Sequence, residues 1–262
     1  MSTMPAPNPS ANDPRAKQLF DAQAQDYARY RPTYPRELFE WLASVAPARG
    51  LAWDCGSGSG QAAVGLAEFF ERVIATDVSP AQLAHAVAHP RVEYRVAPAE
   101  HSGLPDACAD LVTVAQALHW FDRPRFYAEA RRVLKPGGVL AAWCYHHFTG
   151  APPEVERTIH RYEYDVVGPY WLPNRRLIDE HLQTVAFPFA ELTPPAGLHM
   201  EAEWSLAHVL GYLRSWSATQ RCRDQAGRDP LEAIRDELTR AWGDPQVRQW
   251  LRWPLYLRVG RV

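Results

Sequence analysis

Three glycines at alternate positions, in Asp54-Cys55-Gly56-Ser57-Gly58-Ser59-Gly60-Gln61, and an acid closing Val73-Ile74-Ala75-Thr76-Asp77 are the residues best placed to do chemistry. Glycine lets a backbone turn sharply and approach a ligand with no side chain in the way. An acid at a strand tip can accept both hydroxyl hydrogens of a ribose diol. The apolar runs Leu51–Asp54 and Arg72–Asp77 read as strands and Gln61–Phe70 as the helix between them, which makes a nucleotide-binding βαβ unit. A pyrophosphate loop has the spacing G-x-G-x-x-G at a helix N-terminus. Here the spacing is G-x-G-x-G, and Asp54 stands two residues before the first glycine. A carboxylate there would repel a pyrophosphate, but it suits a ligand carrying an ammonium and a sulfonium.

S-adenosylmethionine is such a ligand, and Asp54 to Gln61 resembles motif I of the class I S-adenosylmethionine-dependent methyltransferases. Further segments resemble the trans-aconitate/cantharidin methyltransferase-like branch: Tyr30-Arg31-Pro32-Thr33-Tyr34-Pro35, Ala97-Pro98-Ala99-Glu100, Ala115-Gln116-Ala117-Leu118-His119-Trp120-Phe121-Asp122, Arg131-Arg132-Val133-Leu134-Lys135-Pro136-Gly137-Gly138 and Leu213-Arg214-Ser215-Trp216-Ser217-Ala218. The resemblance runs from about Gln18 onward. It implies a Rossmann-like fold with a mostly parallel seven-stranded sheet, helices on both faces and a helical, aromatic-rich lid lobe. It also implies S-adenosyl-L-methionine as cofactor and a small-molecule methyl acceptor.

The residues themselves assign Gly56, Gly58 and Gly60 to the methionine and ribose portions, Asp54 to the amino group and Asp77, with Val78 beside it, to the ribose. The resemblance adds Ala99 and Glu100 after the third strand as holders of the adenine, and makes the arm with Tyr27, Arg31 and Tyr34 a lid, with Arg31 meeting a carboxylate of cofactor or substrate. Gln116, His119 and Trp120 follow the fourth strand, at the carboxyl edge where open sheets bind ligands, and are expected to shape the methyl-transfer zone. Tyr145, His146, Tyr170, Trp171, Arg175, Arg176 and Trp216 are candidates for the acceptor pocket. Adjacent arginines beside aromatics suit an organic acid, because guanidinium pairs bidentately with carboxylate. A carboxylate acceptor needs no general base; for a hydroxyl acceptor His119 or His146 would serve as one.

Strands at Leu51–Asp54, Arg72–Asp77, Val92–Val96, Asp110–Ala115 and Gly138–Tyr145 alternate with helices at Gln61–Phe70, Pro80–Ala88, Arg123–Val133 and near Glu154–Val166. Such alternation predicts a parallel sheet with right-handed crossovers. A helix begins at Pro35, and Ala16 to Tyr30 has helical spacing. Gly168 to Arg176 reads as a loop, and Trp253 to Val262 as a closing strand. The expected organisation is a disordered tail over 1–15, a cofactor-binding core with its N-terminal arm over 16–149, and lid insertions with C-terminal strands over 150–262.

The 262 residues are 47% hydrophobic, enough for a sizeable core, and carry a net charge of −2. No basic stripe or base-methylating N/D-P-P-Y/F motif points to nucleic acid. No apolar run approaches the ~20 residues needed to cross a bilayer, and the start lacks the features of a signal peptide. A cytoplasmic protein, monomeric or homodimeric, without nucleic-acid or membrane partners is expected. Cys55, Cys108, Cys144 and Cys222 show no C-x-x-C spacing, so no metal is expected. Two other readings are an NAD-dependent or nucleotide-sugar oxidoreductase, opposed by Asp54 and the glycine spacing, and a non-catalytic protein retaining the fold.

Overall fold

The computed structural model describes residues 30–262; the expected tail, the helical spacing of Ala16 to Arg29 and the candidate Tyr27 lie outside these residues. Strand β1 (Leu51–Cys55) alternates its side chains between two apolar layers. Ala52 joins the layer with Leu38, Leu42, Leu66, Val73 and Leu111, while Trp53 joins Ile74, Val112, Phe126 and Leu140 on the other face. That two-sided burial is what a parallel sheet covered by helices requires. β2 (Arg72–Asp77) and β3 (Val92–Val96) pair parallel to its one side, β4 (Ala109–Ala115) and β5 (Leu134–Tyr145) to the other. α1 (Arg36–Val45) and α2 (Gln61–Ala67) cover the first face and α4 (Arg123–Val133) the second, with α3 (Pro80–Ala84) between β2 and β3.

The final strand β8 (Gln249–Arg261) runs antiparallel to β5. The main path of the sheet holds seven strands, β3-β2-β1-β4-β5-β8-β6, with β6 being Ala190–Glu191. An eighth strand, β7 (His199–Trp204), pairs with the first half of β8 and was not expected. Its period-two pattern is readable: Met200 and Trp204 are buried while Glu201 and Glu203 face solvent.

Several bounds differ from expectation. α2 stops at Ala67 rather than Phe70, and α3 at Ala84 rather than Ala88. β5 starts at Leu134, before the expected Gly138. The helix expected near Glu154–Val166 is α5 (Pro153–Arg161), continued by one π turn over Tyr162–Val166. The stretch 168–175 forms two short 3-10 turns rather than open loop, followed by α6 (Arg176–Asp179). Helices α7 (Leu206–Arg214), α8 (Ser217–Ala226) and α9 (Arg235–Trp242) complete the C-terminal lobe. Its tryptophans are mostly core: Trp204, Trp216, Trp242 and Trp253 are buried.

Candidate active site

The tips of β1, β2 and β4 meet the C-terminal lobe around one cavity of about 200 Å³. Its floor is the turn after β1. The amides of Gly56 and Ser57 both donate to the Thr76 carbonyl, at 2.8 and 3.0 Å, and Gly60 N donates to Ser57 O at 2.9 Å. Gly58 has φ +53°, and a Cβ added there would meet only Gln82 Oε1 at 3.6 Å, so the loop presents bare backbone to the cavity. Gly56 is needed for close packing, since a Cβ there would lie 2.7 Å from Ala117 Cβ.

Asp77 stands on the cavity wall at the tip of β2. Its Oδ2 accepts from Gly58 N at 2.8 Å and its Oδ1 from Ser79 N at 2.9 Å. A carboxylate has about four acceptor positions, so both oxygens retain capacity for a diol while the backbone fixes their direction. The same bonds tie the glycine loop to β2.

Three of the assigned residues lie off the wall. Asp54 is fully buried beneath the glycine loop because β1 is covered on both faces. It accepts from Thr113 Oγ1 at 2.8 Å and from the Ala63 amide in the first turn of α2. Burial, and secondarily the nearby Asp77, raise its carboxyl to about 7 despite those bonds. Its Oδ2 is buried there without a hydrogen-bond partner. Gly60 caps α2 at φ +82°, and a Cβ would sit 2.2 Å from Tyr94 Oη. It serves the packing of Tyr94 rather than the cavity. Glu100 accepts from Asp122 N at 2.9 Å beside the wall, while its neighbour Ala99 is on it.

Gln116, at the tip of β4, holds a left-handed φ of +55°, uncommon outside glycine and costly unless the surroundings enforce it. Its amide donates to Trp143 O and its Nε2 to Tyr145 O, locking the turn between β4 and β5. Next come His119 and Trp120 on a 3-10 turn, both on the wall. Asn174 holds that turn by donating to His119 O at 3.0 Å. Burial, with Arg175 and Arg123 nearby, drives His119 down to about 3, so its ring is neutral at physiological pH. A neutral ring can accept a proton, but one held this low is a weak base near neutrality.

Arg31 comes over the cavity from the N-terminal side. It donates through Nε and Nη2 to Ser215 and through Nη1 to Tyr145 Oη at 3.2 Å, and lies above the Tyr212 ring. Val78, Tyr34, Tyr145, His146, Trp171, Arg175 and Trp216 also reach the wall. Arg175 stacks on Trp171 and pairs with Glu163 Oε1 and Asp179 Oδ1, both at 2.8 Å. Arg176 does not join it: 78% exposed, it pairs with Glu180 on the outer side of α6. Tyr170 is likewise off the wall. Residues not anticipated are Ser57, Gln61, Ile178, Tyr212 and Ser217 on the wall and Glu163 behind it.

Ser57 Oγ, Gln116 Oε1 and His119 Nδ1 are buried on this wall without a hydrogen-bond partner. Buried polar groups are usually hydrogen-bonded, and a polar ligand in the cavity would supply partners for these three. With the bare glycine loop and the Asp77 carboxylate, they fit a ribose-bearing cofactor laid across the strand tips.

An open sheet with a nucleotide-type cavity at its strand tips defines the class of protein, and the comparisons with known proteins agree. The methyltransferase domain family matches residues 53–142. A Dictyostelium discoideum protein described as a methyltransferase is 34% identical over 266 residues, covering 99% of this chain and 99% of that protein. Methyltransferase cfoB of Aspergillus candidus is 31% identical over 199 residues, 66% of this chain and 62% of its own length. A solved structure from Anaeromyxobacter dehalogenans, described as a type II methyltransferase, superposes with TM-score 0.81 at 49% identity, covering 88% of this chain and 98% of its own. The chain belongs to the class I methyltransferase family.

Proposed function

We propose that this methyltransferase uses S-adenosyl-L-methionine to methylate a carboxylate of a small organic acid, a polyacid of the trans-aconitate kind. The acceptor reading rests on one observation above all. Two guanidiniums, Arg31 and Arg175, reach the cavity wall, Arg175 held by Glu163 and Asp179 behind it, and the only acid lining the cavity among the described residues is Asp77. Around the arginines the wall is aromatic, formed by Tyr145, Trp171, Tyr212 and Trp216.

When bound, the cofactor supplies an activated methyl group, and displacement at that carbon needs only an aligned nucleophile. Asp77 would hold the ribose hydroxyls, the Gly58 backbone would lie along the cofactor, and Ala99 would bound the adenine. Gln116 Oε1 could accept from its polar edge, and His119 Nδ1 could accept or donate according to its tautomer. The aromatic wall excludes water, and Arg31 offsets the cost of desolvating an acid while fixing its direction. A carboxylate attacks as it stands and asks for no general base, and the two histidines on the wall are both held below their ordinary range. His146, the other candidate, is also pushed below its ordinary range, by burial above all and by the Arg175 charge, against its bond to Glu163.

No described helix is long and apolar enough to cross a membrane. We place the protein in the cytoplasm with a small-molecule acceptor and without nucleic-acid partners. The test is a screen of small acids, phenols and amines with methyl-labelled cofactor. The acids should carry the label, and Arg31→Gln should raise the acceptor KM at least tenfold while cofactor affinity holds. Preference for a phenol or an amine, or an unchanged KM, would refute the acid assignment.

A further inference from the structure

The end of β5 and the π turn after α5 bring together a group of side chains that the methyl-transfer reading leaves unused. His146 and His147 follow β5 directly, and the chain bends so that their rings lie 3.6 Å apart between centroids. Both face Glu163, whose side chain is only 2% exposed. His146 Nε2 is 2.9 Å from Glu163 Oε1, His147 Nδ1 is 3.1 Å from Oε2, and Asp179 Oδ1 is 3.5 Å from His146 Nε2. We propose that His146, His147 and Glu163, with Asp179 as a fourth donor, form a binding site for a divalent transition-metal ion at the acceptor end of the cavity.

The ligand atoms of His146, His147 and Glu163 all lie within 4.8 Å of one another, a spacing that an ion could share. Ligand atoms at ~2.0–2.2 Å from a zinc-like ion in tetrahedral or octahedral array stand roughly 2.9–3.5 Å from one another. The three separations fall in that interval. Glu163 Oε2 is buried and makes no hydrogen bond, even though His147 Nδ1 is close by. An ion held between the two atoms would occupy that oxygen.

The surroundings match a metal site as well. Arg175 pairs with Glu163 Oε1 and with Asp179 Oδ1, both at 2.8 Å, so Glu163 Oε2 is the carboxylate oxygen left for an ion and Arg175 would orient both acids. Tyr164 Oη lies 3.4 Å from His147 Nε2, on the far side of that ring from Glu163. The Trp171 indole donates to the Glu163 carbonyl, tying the turn to the cavity wall. Two imidazoles with two carboxylates select zinc, cobalt, nickel or iron rather than magnesium or calcium. The histidines do what the scattered cysteines do not.

His146 lies on the cavity wall, so the ion would face the acceptor and could take a second carboxylate of it. That consequence rests on the proposed acid acceptor; the ion site does not. The test is titration of the full chain with cobalt(II), followed by visible absorption and calorimetry, and competition with zinc(II). One ion per chain with ligand-field bands is expected. Glu163→Gln and His147→Ala should each weaken binding at least tenfold. Glu163→Gln also strips a partner from Arg175 and could unfold the protein. His147 is 39% exposed, so His147→Ala should melt as the wild type without metal, and it carries the test alone if needed. No saturable binding at millimolar cobalt, or wild-type binding by His147→Ala, would overturn the site, whatever the methyl acceptor proves to be.

Discussion

Substituting Gly58 and Gly60 separately distinguishes a ligand-facing glycine from a packing one. Both have positive φ, so alanine at either position costs about 1–2 kcal/mol of backbone strain. Beyond that strain the two sites differ. At Gly58 the new methyl meets Gln82 Oε1 at an ordinary 3.6 Å and otherwise enters the cavity. At Gly60 it would lie 2.2 Å from Tyr94 Oη and 2.8 Å from Tyr94 Cε1. Tyr94 cannot move freely, because its hydroxyl donates to Val87 O at 2.8 Å. Overpacking of this kind adds about 1–3 kcal/mol. Gly58→Ala should therefore melt a few degrees below the wild type but bind cofactor at least tenfold more weakly. Gly60→Ala should lose about 2–5 kcal/mol of stability, and Tyr94→Ala in the same chain should restore part of it. Thermal melts and calorimetry with S-adenosylhomocysteine read both quantities. Wild-type affinity in Gly58→Ala, or equal stability losses at the two sites without rescue, would refute the division of roles.

Two pH predictions follow from buried groups. His119 titrates in the folded protein at about 3 against 6.5 unfolded. Between those values the unfolded chain binds the extra proton, so stability falls on acidification by up to about 1.4 kcal/mol per pH unit from this residue. His119→Gln should flatten that fall, and a denaturation curve against pH parallel to the wild type would count against the buried neutral ring. Asp54 has the opposite sign: its folded value is raised from 3.8 to about 7, so its contribution is present in acid and lost as pH rises between them. Asp54→Asn should gain on the wild type between pH 4 and 8 in urea unfolding. A variant that instead loses ground at the alkaline end would show that the charged form is well accommodated.

The strands were legible because a parallel sheet buries both faces, so β1, β2 and β4 read as short apolar runs ending in turn residues. The carboxyl-edge rule then placed Asp77, Gln116, His119 and Trp120 at the cavity. Which of two neighbouring residues lines the cavity was not legible. Asp54 and Gly60 occupy motif positions next to a ligand-binding loop, but which of two neighbouring residues faces the cavity depends on packing against Tyr94 and α2. The pairing of His147 with Glu163 was invisible for another reason. It needs a strand end and a π turn to converge, and the helical pattern through Glu163 gave no sign that the helix would widen there. Arg176 was misplaced because adjacent residues on a short helix diverge, sending one guanidinium inward and the other to solvent.

The most direct test of the central claim is calorimetric titration with S-adenosylhomocysteine of the wild type and of Asp77→Ala. The carboxylate anchors Gly58 N and Ser79 N and would take the ribose diol, so its loss should cost about 2–4 kcal/mol of affinity. Saturable one-to-one binding by the wild type, weakened at least tenfold in a folded Asp77→Ala, is the predicted result. No saturable binding by the wild type, or equal affinity in the variant, would contradict it.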